Sequence, residues 1–317
     1  MPSQPTTYPQ MIVIGGPTAS GKSDLATILA SQNNGVVINA DSMQLYRDIP
    51  ILSGTPDAAA MEMVPHRLYG VLPMARQCSM ADWVEMALSE IKTAIDAGKL
   101  PIVVGGTGLY LNGLTDGVSP MPDVTNEVRG RVRDMLQTDG VDALYRELQS
   151  RDPVMAGRLR PRDPQRISRA LEMILQTGRS LAEFQGQKTK LHAYRHKTIL
   201  LLPPRAELYR RVNLRFDKMM ELGALEEARA IESSGIKDTV TSLKAKGIPE
   251  LRAHLRGEIG LDDAVQIAKT KTRQYAKRQY TWFRNHVAGD IILDDFIAPG
   301  QLSAAAMDIF GALNANT

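Results

Sequence analysis

A glycine at position 16 and a Gly-Lys-Ser triplet at 21–23 bracket four residues, giving Gly16, Pro17, Thr18, Ala19, Ser20, Gly21, Lys22 and Ser23 in succession. An apolar run at 11–14 leads in, and a helical pattern at 23–30 leads out. A strand that turns on glycine directly into a helix aims several backbone N–H groups, and the helix N-terminus, at one point. That nest accepts the oxygens of a di- or triphosphate. Lys22 adds a positive charge to it, and the Ser23 hydroxyl is an oxygen donor for Mg2+. The chain is therefore expected to hold a polyphosphate.

Short apolar runs bounded by turn residues recur at 12–14, 36–38, 102–104, 198–202 and 291–293. Their continuity, without polar alternation, predicts parallel strands covered on both faces. Helical patterns at 23–31, 80–96 and 205–233 alternate with them. The expected fold is α/β: a P-loop NTPase-like open parallel sheet flanked by helices, with the phosphate loop at its carboxyl edge. From 117 to about 197 the strand signal disappears, and Gly140, Pro153, Pro161, Pro164 and Gly178 punctuate a charged, helical stretch. The predicted organisation is a core over 10–118, a helical insertion domain over 119–196, and the rest of the core over 197–317. In the last part, 206–233 is a helical pattern interrupted at Gly223, residues 247–260 are punctuated by Gly and Pro, and 261–286 reads as one helix.

The bulk numbers exclude several classes. Hydrophobic content of 43% and charged content of 23% in 317 residues are those of an ordinary globular protein. No run of 18 apolar residues suggests a membrane span. Residues 1–10 are rich in Pro, Thr and Gln and read as a disordered lead, not a signal peptide. The single cysteine, Cys78, allows neither an intramolecular disulfide nor a multi-cysteine zinc site, and fits a reducing cytoplasm. Net charge is only +3, but residues 241–286 carry ten Lys/Arg against four Asp/Glu, and 151–170 carry six Arg against two Asp. Positive charge gathered in two segments suits a polyanion, although solvated helix faces give the same pattern.

Two more segments follow predicted strands. Asp41, in Asn39-Ala40-Asp41-Ser42-Met43-Gln44-Leu45-Tyr46, is placed to ligate Mg2+ or act as a general base, or simply to cap a turn. In Gly105-Gly106-Thr107-Gly108 the glycines allow close backbone approach to a ligand, and Thr107 offers a hydroxyl. Near the C-terminal end, Lys269, Arg273 and Lys277 repeat every four residues on one predicted helix face, with Tyr275, Tyr280, Trp282 and Phe283 interleaved. Such a face serves a nucleic acid, or else its aromatics pack on the sheet.

Taken in order, residues 16–23, 41–46, 105–110, Asp163-Pro164-Gln165-Arg166-Ile167-Ser168-Arg169-Ala170-Leu171-Glu172 and 272–284 resemble the tRNA dimethylallyltransferase family, in its bacterial form. The resemblance runs from about Met11 to Val287. It implies transfer of a dimethylallyl group from dimethylallyl diphosphate to N6 of adenine 37, beside the tRNA anticodon. The diphosphate would lie in the 16–23 nest with Mg2+ on Ser23, Lys22 would neutralise it, and Arg215 matches a family arginine that helps bind it. Asp41 matches the proposed base, and Thr107 would lie near the adenine. By the same resemblance Asp41, Ser42, Met43, Gln44, Thr107, Arg129, Gln165, Arg166, Ile167, Ser168 and Arg169 would contact the RNA. Arg273, Lys277 and Arg278 would grip the anticodon stem.

The partners implied are a tRNA anticodon stem-loop and dimethylallyl diphosphate, with no membrane and a monomeric, cytoplasmic enzyme. The chain departs from the family at Ile248, where an aromatic is frequent, so a stacking role cannot be carried over there. With a single cysteine, these residues are also expected not to include the zinc-finger extension of eukaryotic members. The alternative from another class is a small-molecule or nucleoside kinase that uses ATP on the same phosphate loop.

Overall fold

The computed structural model describes residues 10–189, 194–236 and 240–315. The lead expected over 1–10 lies outside the described residues, apart from Gln10. Contacts divide the chain into two compact units, one of Met1–Thr115 with His192–Thr317 and the other of Asp116–Leu191.

The first unit is built on six parallel strands: β1 (Gln10–Gly15), β2 (Gly35–Asn39), β3 (His66–Arg67), β4 (Leu100–Gly105), β5 (Arg195–Leu201) and β6 (Ile291–Leu293). Their spatial order is β3-β2-β4-β1-β5-β6. Gly15 of β1 lies beside Gly105 of β4, and Asn39 of β2 beside Val104. The loops after these three strands therefore open at the same edge of the sheet.

Both faces of the central strands are covered, which is why their apolar runs are unbroken. Ile12, Ile14, Ile102, Val104 and Ile199 pack with Leu25 and Leu29 of the helix Lys22–Gln32 and Ile309 of the helix Leu302–Ala315. The alternate residues Met11, Val13, Ile38 and Val103 are equally buried, and the helix Met80–Asp96, with Trp83 and Ile91 inward, packs on β2 and β4. Each such side chain contributes roughly 1.5–3 kcal/mol by leaving water.

Three local outcomes differ from the sequence reading or refine it. β3 has only two residues, too few to leave a hydrophobic run. The pattern at 206–233 divides into helices Arg205–Glu221 and Ala224–Ser233, with Gly223 at φ 101° between them. The Gly/Pro-punctuated stretch holds a helix, Ile248–Leu255; Pro249 sits in its first turn, where a missing N–H costs nothing. Leu261–His286 is one helix. No described helix is long and apolar enough to cross a membrane.

The second unit is helical and has its own core. Helices Asn126–Arg151 and Pro164–Thr177 pack Leu144, Leu148, Ile167 and Leu171 together. Gly140, at φ 80°, kinks the first of them. Thr125, Asp163 and Ser180 cap the starts of their helices by accepting backbone N–H groups.

Candidate active site

The phosphate loop begins where β1 ends. A Cβ on Gly16 would lie 2.6 Å from the Leu201 carbonyl oxygen, so only glycine lets the chain leave the strand here. Ala19 (φ 64°) and Gly21 (φ 90°) are both left-handed, and between them the Ser20 N–H donates back to the Pro17 carbonyl at 3.3 Å, which closes the loop. Lys22 is buried and curls back, its Nζ donating to the Pro17 carbonyl at 3.1 Å. Burial pulls its ammonium down to about 8, opposed by Asp41 and reinforced by Arg215. The Ser20 hydroxyl is buried with no hydrogen-bond partner. A buried hydroxyl without a protein partner in a phosphate loop is suited to donate to an anionic oxygen.

Asp41 is fixed from both sides. Its backbone N–H donates to Asn39 Oδ1 at 2.7 Å, and its Oδ1 accepts the Met43 N–H at 3.0 Å. Asn39 is fully buried, and its amide donates to the Asp41 and Leu68 carbonyls. One carboxylate oxygen thus caps a turn, the bland reading of this residue, while Oδ2 lies 3.3 Å from where a Cβ on Gly106 would be. Thr107 ties this loop to β4: its N–H donates to the Ala40 carbonyl, and its Oγ1 accepts the Ser42 N–H at 2.9 Å.

Arg215, on the helix Arg205–Glu221, reaches the phosphate loop across 197 residues of sequence. Its Nη1 donates to Thr18 Oγ1 at 3.3 Å and its Nη2 to the Gly54 carbonyl at 3.1 Å. Burial lowers its guanidinium, opposed by Asp41 and Asp24. Two cavities meet at this side chain. One runs along the phosphate loop past Lys22, Ser23 and Arg211. The other, smaller one is lined by Asp41, Leu52, Phe216, Lys246 and Tyr275. Arg215 and Ala19 line both.

Several residues that organise the site went unread in the sequence. Gln279 is buried on the helix Leu261–His286. Its Oε1 accepts the Thr18 N–H at 2.9 Å and its Nε2 donates to the Gly106 carbonyl at 2.9 Å. Glu227 accepts the Ile51 and Leu52 N–H groups, each at 2.8 Å, and so positions the turn that presents Gly54 to Arg215. The aromatics of the same long helix divide between roles: Phe283 is fully buried against Gly15, Trp282 covers Gly108, and Tyr275 faces the smaller cavity.

The residues expected to contact RNA are not equivalent. Ile167 is fully buried in the second unit's core, which corrects its reading as an RNA contact: its neighbours Gln165 and Arg166 point to solvent because they fall on the outer arc of the helix. Ser168 and Arg169 are partly exposed and Arg129 is exposed. Gln44 is buried too, its amide donating to the Gly54 carbonyl at 2.7 Å; in this structure it braces the arginine's turn and is not presented to a partner. The basic row of the long helix is partly spent. Lys269 is buried against Asp217 at 2.5 Å, and Arg273 donates to Asn213 Oδ1 at 2.6 Å, whereas Lys277 and Arg278 are exposed. Ile248 is fully buried, so that position offers no ring for stacking.

Residues 44–286 match the family described as IPP transferase, and residues 9–73 match one described as isopentenyl transferase. The chain belongs to the IPP transferase family. A protein from Rhodospirillum centenum named tRNA dimethylallyltransferase is 45% identical over 286 residues, 90% of this chain and 91% of the relative. One of the same name from Rhodopseudomonas palustris is 46% identical over 90% of this chain and 89% of its own. Among solved structures, the tRNA isopentenylpyrophosphate transferase of Bacillus halodurans superposes with a TM-score of 0.68 at 32% identity, covering 96% of this chain and 97% of that one. A eukaryotic dimethylallyltransferase acting on tRNA gives 0.81 at 29% identity, with 97% and 80% covered. The IPP transferase match spans the Asp41 loop's end, the Gly106–Thr107 turn, Arg215 and Gln279, so the elements that build the two cavities lie within it, except the phosphate loop and Asp41, which fall in the 9–73 match.

Proposed function

We propose that this chain transfers a dimethylallyl group from dimethylallyl diphosphate to N6 of adenine 37 in the tRNA anticodon loop. The observation that carries this reading is the placement of Arg215 where the phosphate-loop cavity meets the Asp41 cavity. A donor with its diphosphate in the first and its allyl carbon toward the second brings the breaking C–O bond to the junction. The kinase reading is not favoured, because the relatives are named for prenyl transfer to tRNA.

The extruded adenine enters the Asp41 cavity, and its N6 lone pair forms the new bond to C1 of the dimethylallyl group. The C–O electrons leave with the diphosphate, and the N6 proton passes to Asp41. An exocyclic amine is a poor nucleophile, so a carboxylate that aligns it and takes its proton contributes roughly 10²–10⁴ in rate. Lys22 and Arg215 stabilise the charge that grows on the departing diphosphate. Ser20 Oγ, unpartnered among the protein's own groups, donates to a phosphate oxygen. The Ser23 hydroxyl is a hard oxygen donor, and no described cluster of three or more His, Cys, Asp or Glu offers a protein cage; Mg2+ held by Ser23 and the diphosphate fits that donor set and would neutralise leaving-group charge. Arg129, Gln165, Arg166, Ser168 and Arg169 on the second unit, with Lys277 and Arg278 on the first, contact the anticodon stem-loop. The enzyme acts as a cytoplasmic monomer.

The test is transfer of label from dimethylallyl diphosphate to an unmodified tRNA transcript with adenine at position 37. Wild-type protein is expected to label that transcript and not one carrying guanine there. Asp41→Asn, whose amide oxygen still accepts the Met43 N–H, is expected to bind tRNA normally and lose most transfer. Phosphate transfer from ATP in place of prenyl transfer would support the kinase.

A further inference from the structure

Two cations lie over the Tyr275 ring. Lys246 Nζ is 5.4 Å from its ring centroid and the Arg278 guanidinium 5.9 Å. Among the described residues neither has a carboxylate within ion-pair distance. The acid nearest in sequence, Glu250, is already committed: Oε1 pairs with Lys271 at 2.6 Å and Oε2 accepts the Gly247 N–H at 3.1 Å. Burial lowers the Lys246 ammonium, Arg278, Lys271 and Lys244 lower it further, and Glu250 opposes them.

This arrangement is built, not incidental. Gly247 is left-handed at φ 97°, and a Cβ on it would lie 2.9 Å from both Leu52 and Phe216. That close approach holds the turn carrying Lys246 against the wall of the Asp41 cavity, which Lys246 and Tyr275 both line. Among the described residues Nζ donates to the Lys244 carbonyl alone, at 3.2 Å, leaving ammonium protons for a further acceptor. Glu250 and Asp41 act on this group only from a distance, so an anion at the mouth of the cavity gains from both cations at once.

We infer that Lys246, Tyr275 and Arg278 form a phosphate-binding collar that takes the RNA backbone beside the nucleotide inserted into the Asp41 cavity. The inference rests on the proposed function for the identity of that nucleotide. A base that leaves its stack carries its flanking phosphate to the rim of the pocket. Lys246 and Arg278 both meet that phosphate, and the Tyr275 ring on which they lie keeps them together. These are binding and positioning residues, and none of them lines the cavity along the phosphate loop that holds the diphosphate.

The experiment measures tRNA affinity against salt for wild type, Lys246→Met, Lys246→Arg and Arg278→Met, with inorganic diphosphate binding as a check on the donor side. Each phosphate contact adds about 0.7 to the slope of log affinity against log salt for a single strand. Lys246→Met and Arg278→Met are expected to weaken tRNA binding roughly tenfold and flatten the slope by about that amount. Diphosphate affinity should be retained, and Lys246→Arg should restore the slope. A purely structural role would lower stability without changing the slope. An unchanged slope in folded Lys246→Met overturns the collar even if prenyl transfer is confirmed. Flattening in a protein that transfers no prenyl group supports the collar and sinks the proposed reaction alone.

Discussion

The Gln279 side chain accepts the Thr18 N–H at 2.9 Å from 261 residues away, and in doing so fastens the long basic helix to the phosphate loop. Its other end donates to the Gly106 carbonyl at the same distance. One buried amide therefore sets the spacing between the loop that holds diphosphate and the turn beside Asp41. Gly106 has no room for a side chain, since its Cβ would lie 2.4 Å from Gln279 Nε2.

Gln279→Glu keeps the shape but cannot donate to Gly106 and adds a negative charge beside the donor. A buried carbonyl left unpaired costs about 1–3 kcal/mol. The Michaelis constant for dimethylallyl diphosphate should rise at least tenfold, while equilibrium binding of tRNA changes little. Steady-state kinetics with each substrate varied in turn will show it. Equal losses for both substrates would mean that Gln279 only holds the fold.

Lys22 makes diphosphate binding sensitive to pH. Its folded pKa is lowered to about 8 by burial, and a bound anion favours the ammonium and raises that value. Binding is therefore strongest below pH 8 and weakens as pH rises through 8, with proton uptake from solvent on the way. Calorimetry of inorganic diphosphate from pH 7 to pH 9.5, in buffers of different ionisation enthalpy, measures both effects. Lys22→Met removes the contribution of the lysine and leaves only the ligand's own titration. Identical pH profiles for the two proteins would exclude Lys22 as the titrating group.

The parts of this site that are local in sequence are legible there, and the parts that are distant are not. β1 and the turn after it follow from an apolar run, a glycine that must pass Leu201, and the start of a helix. Asp41 and Thr107 are legible because each stands at the end of such a run. Gln279, Glu227 and Lys246 act through partners 29 to 261 residues away, and no local spacing records those meetings. The burial of Lys269 is hidden in the same way, because Asp217 faces it from another helix. Ile167 is a different case: the helical period through Ala170 and Leu171 marks it as inward, and the amphipathic face was available to separate it from Gln165 and Arg166.

That separation can be measured. Ile167 is fully buried among Leu144, Leu148 and Leu171, and Ile167→Ala should destabilise the second unit by about 2–5 kcal/mol. Hydrogen exchange should show the loss in helices Asn126–Arg151 and Pro164–Thr177 and leave the sheet protected. Arg166→Ala, by contrast, should leave exchange unchanged and lower tRNA affinity. Normal stability in Ile167→Ala would return that residue to the list of RNA contacts.

Gly54 makes the position of Arg215 testable without touching the arginine. It is left-handed at φ 66°, and a Cβ on it would lie 1.7 Å from Arg215 Nη2. Alanine there has to expel the guanidinium from between Thr18 and the Gly54 carbonyl, and strains the backbone by about 1–2 kcal/mol as well. The turn itself is held by Glu227 on Ile51 and Leu52 and by Gln44 on the Gly54 carbonyl, so the fold should survive the substitution. Removing one preorganised donor from a developing anion typically costs 10²–10³ in rate, and Gly54→Ala should lose about that much of kcat, as should Arg215→Ala. Melting temperature will separate the two costs: a modest fall with a collapse of kcat is the expected pair. The double variant should be little worse than either single one, because both remove the same contact. Additive losses in the double variant would show that Gly54 and Arg215 serve the reaction separately.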